Sequence, residues 1–178
     1  QAGEDYAEKV LELLKKSGIR NQIIMELFAP ASKAFLQRMK DTSPNFCLEI
    51  SPESHDSDVM QASGRNYSRE GLEQTIDDAL EVSCGRLDIY FMIGVPGQTA
   101  RSVNETIDFC EHLYRKHHGD KRLALFIAPL SPFLDPGSLG FEQPGKYGYR
   151  LFYKTLAEHR RALLSPSWKY ALNYETEW

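Results

Sequence analysis

Short apolar segments alternate with amphipathic segments of helical spacing along most of this 178-residue chain. This alternation limits the possible folds more than any other feature, because strands separated by helices pair in parallel through right-handed crossovers. The apolar segments are rich in β-branched and aromatic residues, as expected of buried strands. The predicted strands cover residues 22–28, 45–51, 87–94 and 123–128.

Apolar residues at helical spacing, together with capping residues, predict the helices between these strands. The predicted helices cover residues 4–17, 31–41, 57–62, 69–83, 100–117 and 147–164. Residues 129–146 are rich in proline and glycine and are predicted to form a loop whose length indicates a functional or interface role. The order of elements is typical of an α/β fold, either a doubly wound sheet or a barrel.

Charge and cysteine content exclude several classes of protein. The formal net charge of −4, with both signs mixed along the chain, does not favour binding to nucleic acid or to an anionic membrane. No apolar run approaches the length that spans a bilayer. Cys47, Cys84 and Cys110 are too widely spaced for a disulfide framework or a metal-ligand set, and the histidines are not predicted to bind metal. The predicted compartment is the reducing cytoplasm.

Polar residues gather at the end of the second predicted strand, where parallel α/β folds bind their ligands. Glu49 and Ser51 share one face of that strand, and a carboxylate in a buried strand is costly unless it faces a partner or a polar interior. Glu53 and Ser54 follow directly. Ser54 and Asp56 also suit a helix cap, but capping does not require Glu49 or Glu53.

A glycine-containing turn follows the third predicted strand. Gly94 and Gly97 would let the backbone approach a ligand closely, and the next helix would offer free N–H groups at its start. The turn lacks both the ending of a phosphate-binding P-loop and the dinucleotide glycine pattern. A purely structural turn is the alternative interpretation.

These residues alone support two further interpretations. A self-contained α/β binding module or small hydrolase would use Glu26, Glu49 and Glu53 as acid and base groups. It predicts a fully covered sheet and a pocket formed within the chain. The other is an interaction domain that uses the aromatic segment 168–178.

Three segments, in this order, resemble the C-terminal part of radical S-adenosylmethionine (SAM) enzymes. They are LEISPESHD at 48–56, DIYFMIGVPGQT at 88–99 and APLSPFLDPGS at 128–138. The resemblance extends from about residue 20 to the end of the chain. The most similar subgroup contains proteins in which a cobalamin-binding domain precedes the radical domain.

The resemblance implies a partial (β/α) TIM-like barrel of parallel strands, with about four of the six βα units of a radical SAM barrel. It implies that the polar groups after the second predicted strand contact the ribose or methionyl part of SAM, and that the glycine turn packs on the adenine. Gln98 stands where the family commonly has Glu. The implied SAM-binding residues are Glu49, Ser51, Glu53, Ser54, Ile93, Gly94, Val95, Pro96 and Gly97.

The chain departs from the family in one important respect. Radical SAM enzymes bind a [4Fe–4S] cluster through a Cys-x3-Cys-x2-Cys loop, and a Gly-Gly-Glu-like segment binds the methionyl amino group. This sequence has neither segment. The resemblance therefore implies a piece of a larger enzyme, with a truncated barrel at residues 1–164 and an aromatic tail at 165–178.

The activity implied by the resemblance belongs to the parent protein. There, reductive cleavage of SAM would yield a 5′-deoxyadenosyl radical, and cobalamin is a further possible cofactor. The piece alone is expected to be inactive, and no catalytic or metal-binding residue is assigned to it. Its expected partners are the missing N-terminal part of the polypeptide and a second copy, paired through the exposed edge of strand 22–28.

Overall fold

The computed structural model describes residues 4–129, 134–167 and 172–176. Among these residues, four parallel strands form the main sheet in the order β1-β2-β3-β4. The strands are β1 (Ile24–Leu27), β2 (Cys47–Glu53), β3 (Arg86–Ile93) and β4 (Leu123–Pro129). The predicted parallel α/β sheet is confirmed. The strands neighbour one another in chain order, as in a barrel segment, whereas a doubly wound sheet reverses its order at a switch point.

The connecting helices begin and end close to the predicted positions. They are α1 (Glu4–Ser17), α2 (Lys33–Thr42), α3 (Ser57–Ala62), α4 (Arg69–Glu81) and α5 (Ala100–Lys116). Side chains of Ser32, Asp56, Ser68 and Thr99 cap the starts of α2 to α5. No helix in the described part of the chain is long and apolar enough to cross a membrane.

The two faces of the sheet differ in chemistry. Alternate residues of the strands, such as Leu48 and Ile89, face a core to which α1, α2, α4 and α5 contribute. The opposite face, here called the open face, carries Glu26, Glu49 and Asp88 in one register row. At the edge of this face, Ile24 is 60% exposed.

The C-terminal part of the chain corrects the sequence prediction. The predicted helix 147–164 is wrong over its first half, because Gly148 adopts a left-handed φ of 67° after a 3₁₀ turn at Pro144–Tyr147. Helix α7 (Leu156–Leu163) begins only after the capping box of Thr155 and Glu158. The predicted loop 129–146 contains α6 (Leu139–Glu142).

A short two-stranded antiparallel sheet completes the described chain. Strands β5 (Tyr149–Leu151) and β6 (Tyr174–Thr176) pair, and Leu134, Tyr149 and Tyr174 form a second small core. We call residues 134–167 and 172–176 the C-terminal unit. The tryptophans of the predicted aromatic tail lie outside the described residues, and the predicted domain boundary after residue 164 stays a prediction.

Candidate functional site

Glu53 occupies an unusual backbone position at the end of β2. The pairing of β2 with β3 shifts register between Ile50 and Glu53, and Glu53 has a φ of 68°. A non-glycine residue in this left-handed region costs on the order of 1 kcal/mol or more. Such local strain often accompanies a functional position.

Arg65 holds the carboxylate of Glu53. Its guanidinium forms an ion pair with Glu53 Oε1, and its Nε donates to the Ser51 carbonyl at 2.7 Å. Both side chains are largely buried. Burial raises the pKa of Glu53, and the charge of Arg65 opposes that rise. The ion pair therefore favours the ionised form of a carboxylate that burial would otherwise neutralise.

The second carboxylate oxygen of Glu53 is buried and has no hydrogen-bond partner among the described residues. The same is true of the nearby Tyr67 hydroxyl, whose pKa burial raises to about 12. Buried polar atoms are usually satisfied by protein, water or ligand. Glu53 therefore retains an acceptor that a ligand donor would satisfy.

The turn after β3 is braced by Gln98. The Gln98 side chain accepts a hydrogen bond from the Gly94 N–H and donates one to the Met92 carbonyl, each at 2.8 Å. Gly94 and Gly97 have φ values of 95° and 76°, which suit glycine. Gln98, a departure from the family pattern in the sequence, thus fixes the shape of the turn.

A cleft of about 520 Å³ lies between the strand ends and the C-terminal unit. This volume falls in the usual range for small-molecule sites. The barrel side of the cleft includes Glu53, Met92, Val95 and Pro96. The opposite side is called the C-terminal wall and comprises Leu134, Ser138, Leu139, Gly140, Tyr147 and Tyr149. The Tyr149 hydroxyl donates to the Gly94 carbonyl at 3.3 Å and so connects the two sides.

The structure brings only some of the predicted site residues together in this cleft. Glu53, Val95 and Pro96 line it. Ile93 and Gly94 line a neighbouring cleft of about 410 Å³. Gly97 belongs to the turn, and a Cβ added there would meet nothing within 4 Å.

The remaining predicted residues lie elsewhere. Glu49 and Ser51 belong to the open face, where the Ser51 hydroxyl donates to Glu26 Oε1 at 3.0 Å. Ser54 is fully buried, and its hydroxyl accepts from the Asp56 N–H at 3.1 Å. The capping interpretation therefore accounts for Ser54 and Asp56, whose carboxylate caps α3.

Sequence reasoning missed Arg65 and the C-terminal wall. A buried glutamate at position 53 implies a cation nearby, and that requirement was the available signal for Arg65. Tyr147 and Tyr149 lie in the first half of the predicted helix 147–164, which does not form a helix in the structure. Their place in the cleft depends on the pairing of β5 with β6. The local sequence pattern does not reveal this pairing.

The cysteines do not fit the ligand set of a [4Fe–4S] cluster. Cys47 lies in β2 and is buried, Cys84 lies between α4 and β3 and is buried, and Cys110 lies in α5 and is partly buried. Burial raises the pKa of Cys84 and Cys110 to about 11, which disfavours the thiolates that a cluster needs. Among the described residues, no group of three or more His, Cys, Asp and Glu side chains could hold a metal ion.

Comparison with known proteins identifies the fold. No family model matches the sequence, and no curated protein matches it. The structure is similar to that of coproporphyrinogen III oxidase (HemN) from Escherichia coli, a radical SAM enzyme, with a TM-score of 0.58 and 14% identity. The chain has an α/β fold similar to part of that TIM-like barrel. The match covers 99% of this chain and 46% of HemN, so the chain spans less than half of that length.

Proposed function

We propose that this chain forms the SAM-binding part of a radical SAM enzyme and that the cleft holds the adenosyl portion of SAM. The observation that carries the proposal is the buried carboxylate oxygen of Glu53, which has no hydrogen-bond partner among the described residues, in a cleft that Glu53 lines together with the apolar turn residues Val95 and Pro96. Both groups come from the carboxyl ends of neighbouring parallel strands, where such folds bind ligands.

The groups on the barrel side of the cleft are complementary to parts of SAM. The second carboxylate oxygen of Glu53 would accept a hydrogen bond from a ribose hydroxyl. Met92, Val95 and Pro96 would pack on the adenine. Arg65 would keep Glu53 ionised and fix its orientation. Glu49 and Ser51 would contact the methionyl part from the open face.

The parent enzyme's chemistry is part of the proposal. In such a parent, a reduced [4Fe–4S] cluster would supply the electron for the cleavage of SAM into methionine and a 5′-deoxyadenosyl radical, which would abstract hydrogen from a substrate. Because the cysteines of this chain do not fit the cluster, its ligands would lie in another segment of the parent, and this chain alone would be inactive. Cobalamin use by the parent and a cytoplasmic location stay predictions.

Calorimetric titration with SAM tests the proposal. We expect the chain to bind SAM and Glu53→Gln to weaken binding by about tenfold or more, because a charged hydrogen bond contributes about 1.5–3 kcal/mol. Glu81→Gln is the matched control, since Glu81 pairs with Lys33 on the surface. The proposal fails if the unmodified chain does not bind SAM, or if Glu53→Gln binds it as well as Glu81→Gln does.

A small hydrolase is the second candidate, favoured by the register row of Glu26, Glu49 and Asp88. Of its predicted acid and base groups, Glu53 lines the cleft, whereas Glu26 and Glu49 lie on the open face. Glu26 is nevertheless near enough for its charge to add to the rise that burial causes in the pKa of Glu53. Hydrolysis of a nitrophenyl ester that disappears in Glu26→Gln would support this candidate.

A further inference from the structure

The C-terminal wall of the cleft has an uncharged surface. Leu134, Leu139 and Gly140 contribute apolar atoms, and Tyr147 and Tyr149 contribute aromatic rings. Leu139 is 63% exposed although it lines a concave cleft. Among the described residues that line the cleft on either side, Glu53 alone carries a charge.

Hydrogen bonds and close packing hold this wall in place. Asn173 accepts from the Leu134 N–H at 2.7 Å and donates to the Leu134 carbonyl at 3.0 Å. A Cβ at Gly140 would lie 3.4 Å from the Tyr149 ring and 3.6 Å from a Leu134 methyl group. The apolar surface is therefore preformed, which lowers the entropy cost of binding a ligand.

The charges around the cleft determine which ligands it favours. An anionic ligand would lose its hydration without gaining a cation from the described lining residues, whose one charged group is a carboxylate. A cationic group would compete with Arg65, which already neutralises Glu53. An uncharged molecule meets neither cost and gains apolar contact with the wall.

We propose that the C-terminal wall binds the enzyme's substrate and that this substrate is an uncharged molecule with a large apolar part. The inference rests on the proposed function, in which the barrel side of the same cleft holds SAM. The two sides face each other, so a molecule on the C-terminal wall would lie against the adenosyl group. Leu139 and Tyr147 would then determine substrate specificity.

Two fluorescent probes of different charge test this inference. Nile red is neutral and apolar, and 8-anilinonaphthalene-1-sulfonate is apolar but anionic. We expect Nile red to bind saturably and the anionic probe to bind at least about tenfold more weakly. Leu139→Asn should weaken Nile red binding by about fivefold, because it removes an exposed apolar contact. Leu13→Asn, at a leucine of α1 that is 66% exposed, is the matched control.

The outcomes separate this inference from the proposed function. Equal Nile red binding by Leu139→Asn and Leu13→Asn would overturn the placement of the site, and equal affinity for both probes would overturn the ligand class. SAM titration of the same proteins is independent. If either of these outcomes is found but the chain still binds SAM, the proposed function stands. Nile red binding through Leu139 without SAM binding would overturn the proposed function alone.

Discussion

His55, which directly follows Ser54, is a titratable residue in an apolar stack. Its ring lies on Phe109 with a centroid separation of 3.8 Å and an interplanar angle of 9°. Its Nδ1 is buried without a partner among the described residues. The pKa of His55 is lowered from 6.5 to about 4, first by burial and then by the charge of Arg69, against the opposing effects of Glu73 and Glu70. The ring is therefore neutral at pH 7.

This neutral ring predicts a loss of stability in acid. Between pH 6.5 and about 4 the unfolded chain binds a proton at His55 that the folded chain does not, so the free energy of unfolding falls as the pH falls. His55→Phe keeps the stack and removes the titration. We expect it to reduce this loss by about 1 kcal/mol after allowance for solvent screening, as measured by urea unfolding at pH 7 and pH 4.5.

His118 provides the control, because it is exposed at the end of α5. His118→Asn suits the left-handed φ of 53° at this position and should leave the pH dependence unchanged. Parallel pH profiles for the unmodified chain and His55→Phe would contradict the assignment.

Gln98 supports a second prediction at the scale of a single residue. Gln98→Glu would still accept from the Gly94 N–H but would lose the donor to the Met92 carbonyl and place a charge at a site only 4% exposed. We expect it to destabilise the chain by about 2–4 kcal/mol in urea unfolding. Gln61→Glu, at an exposed position of α3, should change stability little. If Gln98→Glu left the free energy of unfolding unchanged, the turn would not depend on both hydrogen bonds.

At the scale of elements, Asn173 links the β5–β6 sheet to the rest of the C-terminal unit. It is fully buried, contacts both backbone groups of Leu134, and lies 2.8 Å from His159 Nε2. His159 Nδ1 lies 2.8 Å from the Thr155 carbonyl, so Nδ1 donates and Nε2 accepts from Asn173. One amide thus joins the segment before α6, helix α7 and strand β6.

Asn173→Ala should therefore loosen the C-terminal unit selectively. It leaves buried groups of Leu134 and His159 without their partner, at a cost of about 2–4 kcal/mol. Hydrogen exchange should accelerate at the Leu134 amide, whereas the Leu87 amide, bonded to the Arg122 carbonyl at 2.8 Å in the main sheet, should stay protected. Asn66→Ala, at an exposed position, is the control. Equal acceleration at both amides would indicate global unfolding instead.

The strength of local patterns explains which elements were predictable. Strands such as β3 have long apolar alternation, and α5 has a clear apolar stripe and cap, so their positions followed from the sequence. The positions of β5 and β6 did not follow from the sequence, because each strand has only three residues and pairs with a distant segment. Glu53 was predictable, because it is a carboxylate that follows a strand and is not required for helix capping. Arg65 was not, because its ion pair depends on the tertiary fold.

At the scale of the whole molecule, the sheet has an exposed edge. Strand β1 pairs with β2 on one side, and Ile24 and Glu26 are exposed. An unpaired strand edge is a template for another strand. The sequence-based prediction that two copies associate through this edge therefore stays open to direct test.

Sedimentation velocity over a range of concentrations tests that prediction. We expect a dimer that dissociates in Ile24→Lys, because a charge on the edge blocks pairing. Ile107→Lys on α5, at a residue 47% exposed, should leave the dimer unchanged. A monomer at every concentration would refute the prediction.

The left-handed backbone at Glu53 creates a conflict between thermal stability and ligand binding. Glycine or asparagine would adopt its φ of 68° more easily, but neither supplies a carboxylate. Loss of Glu53 alone would leave the buried Arg65 without its partner, so in directed evolution from this chain, selection for heat resistance alone should enrich those two residues at position 53 together with an uncharged residue at position 65. Selection for ligand capture should retain glutamate, so allele counts at this codon would report which selective pressure dominates.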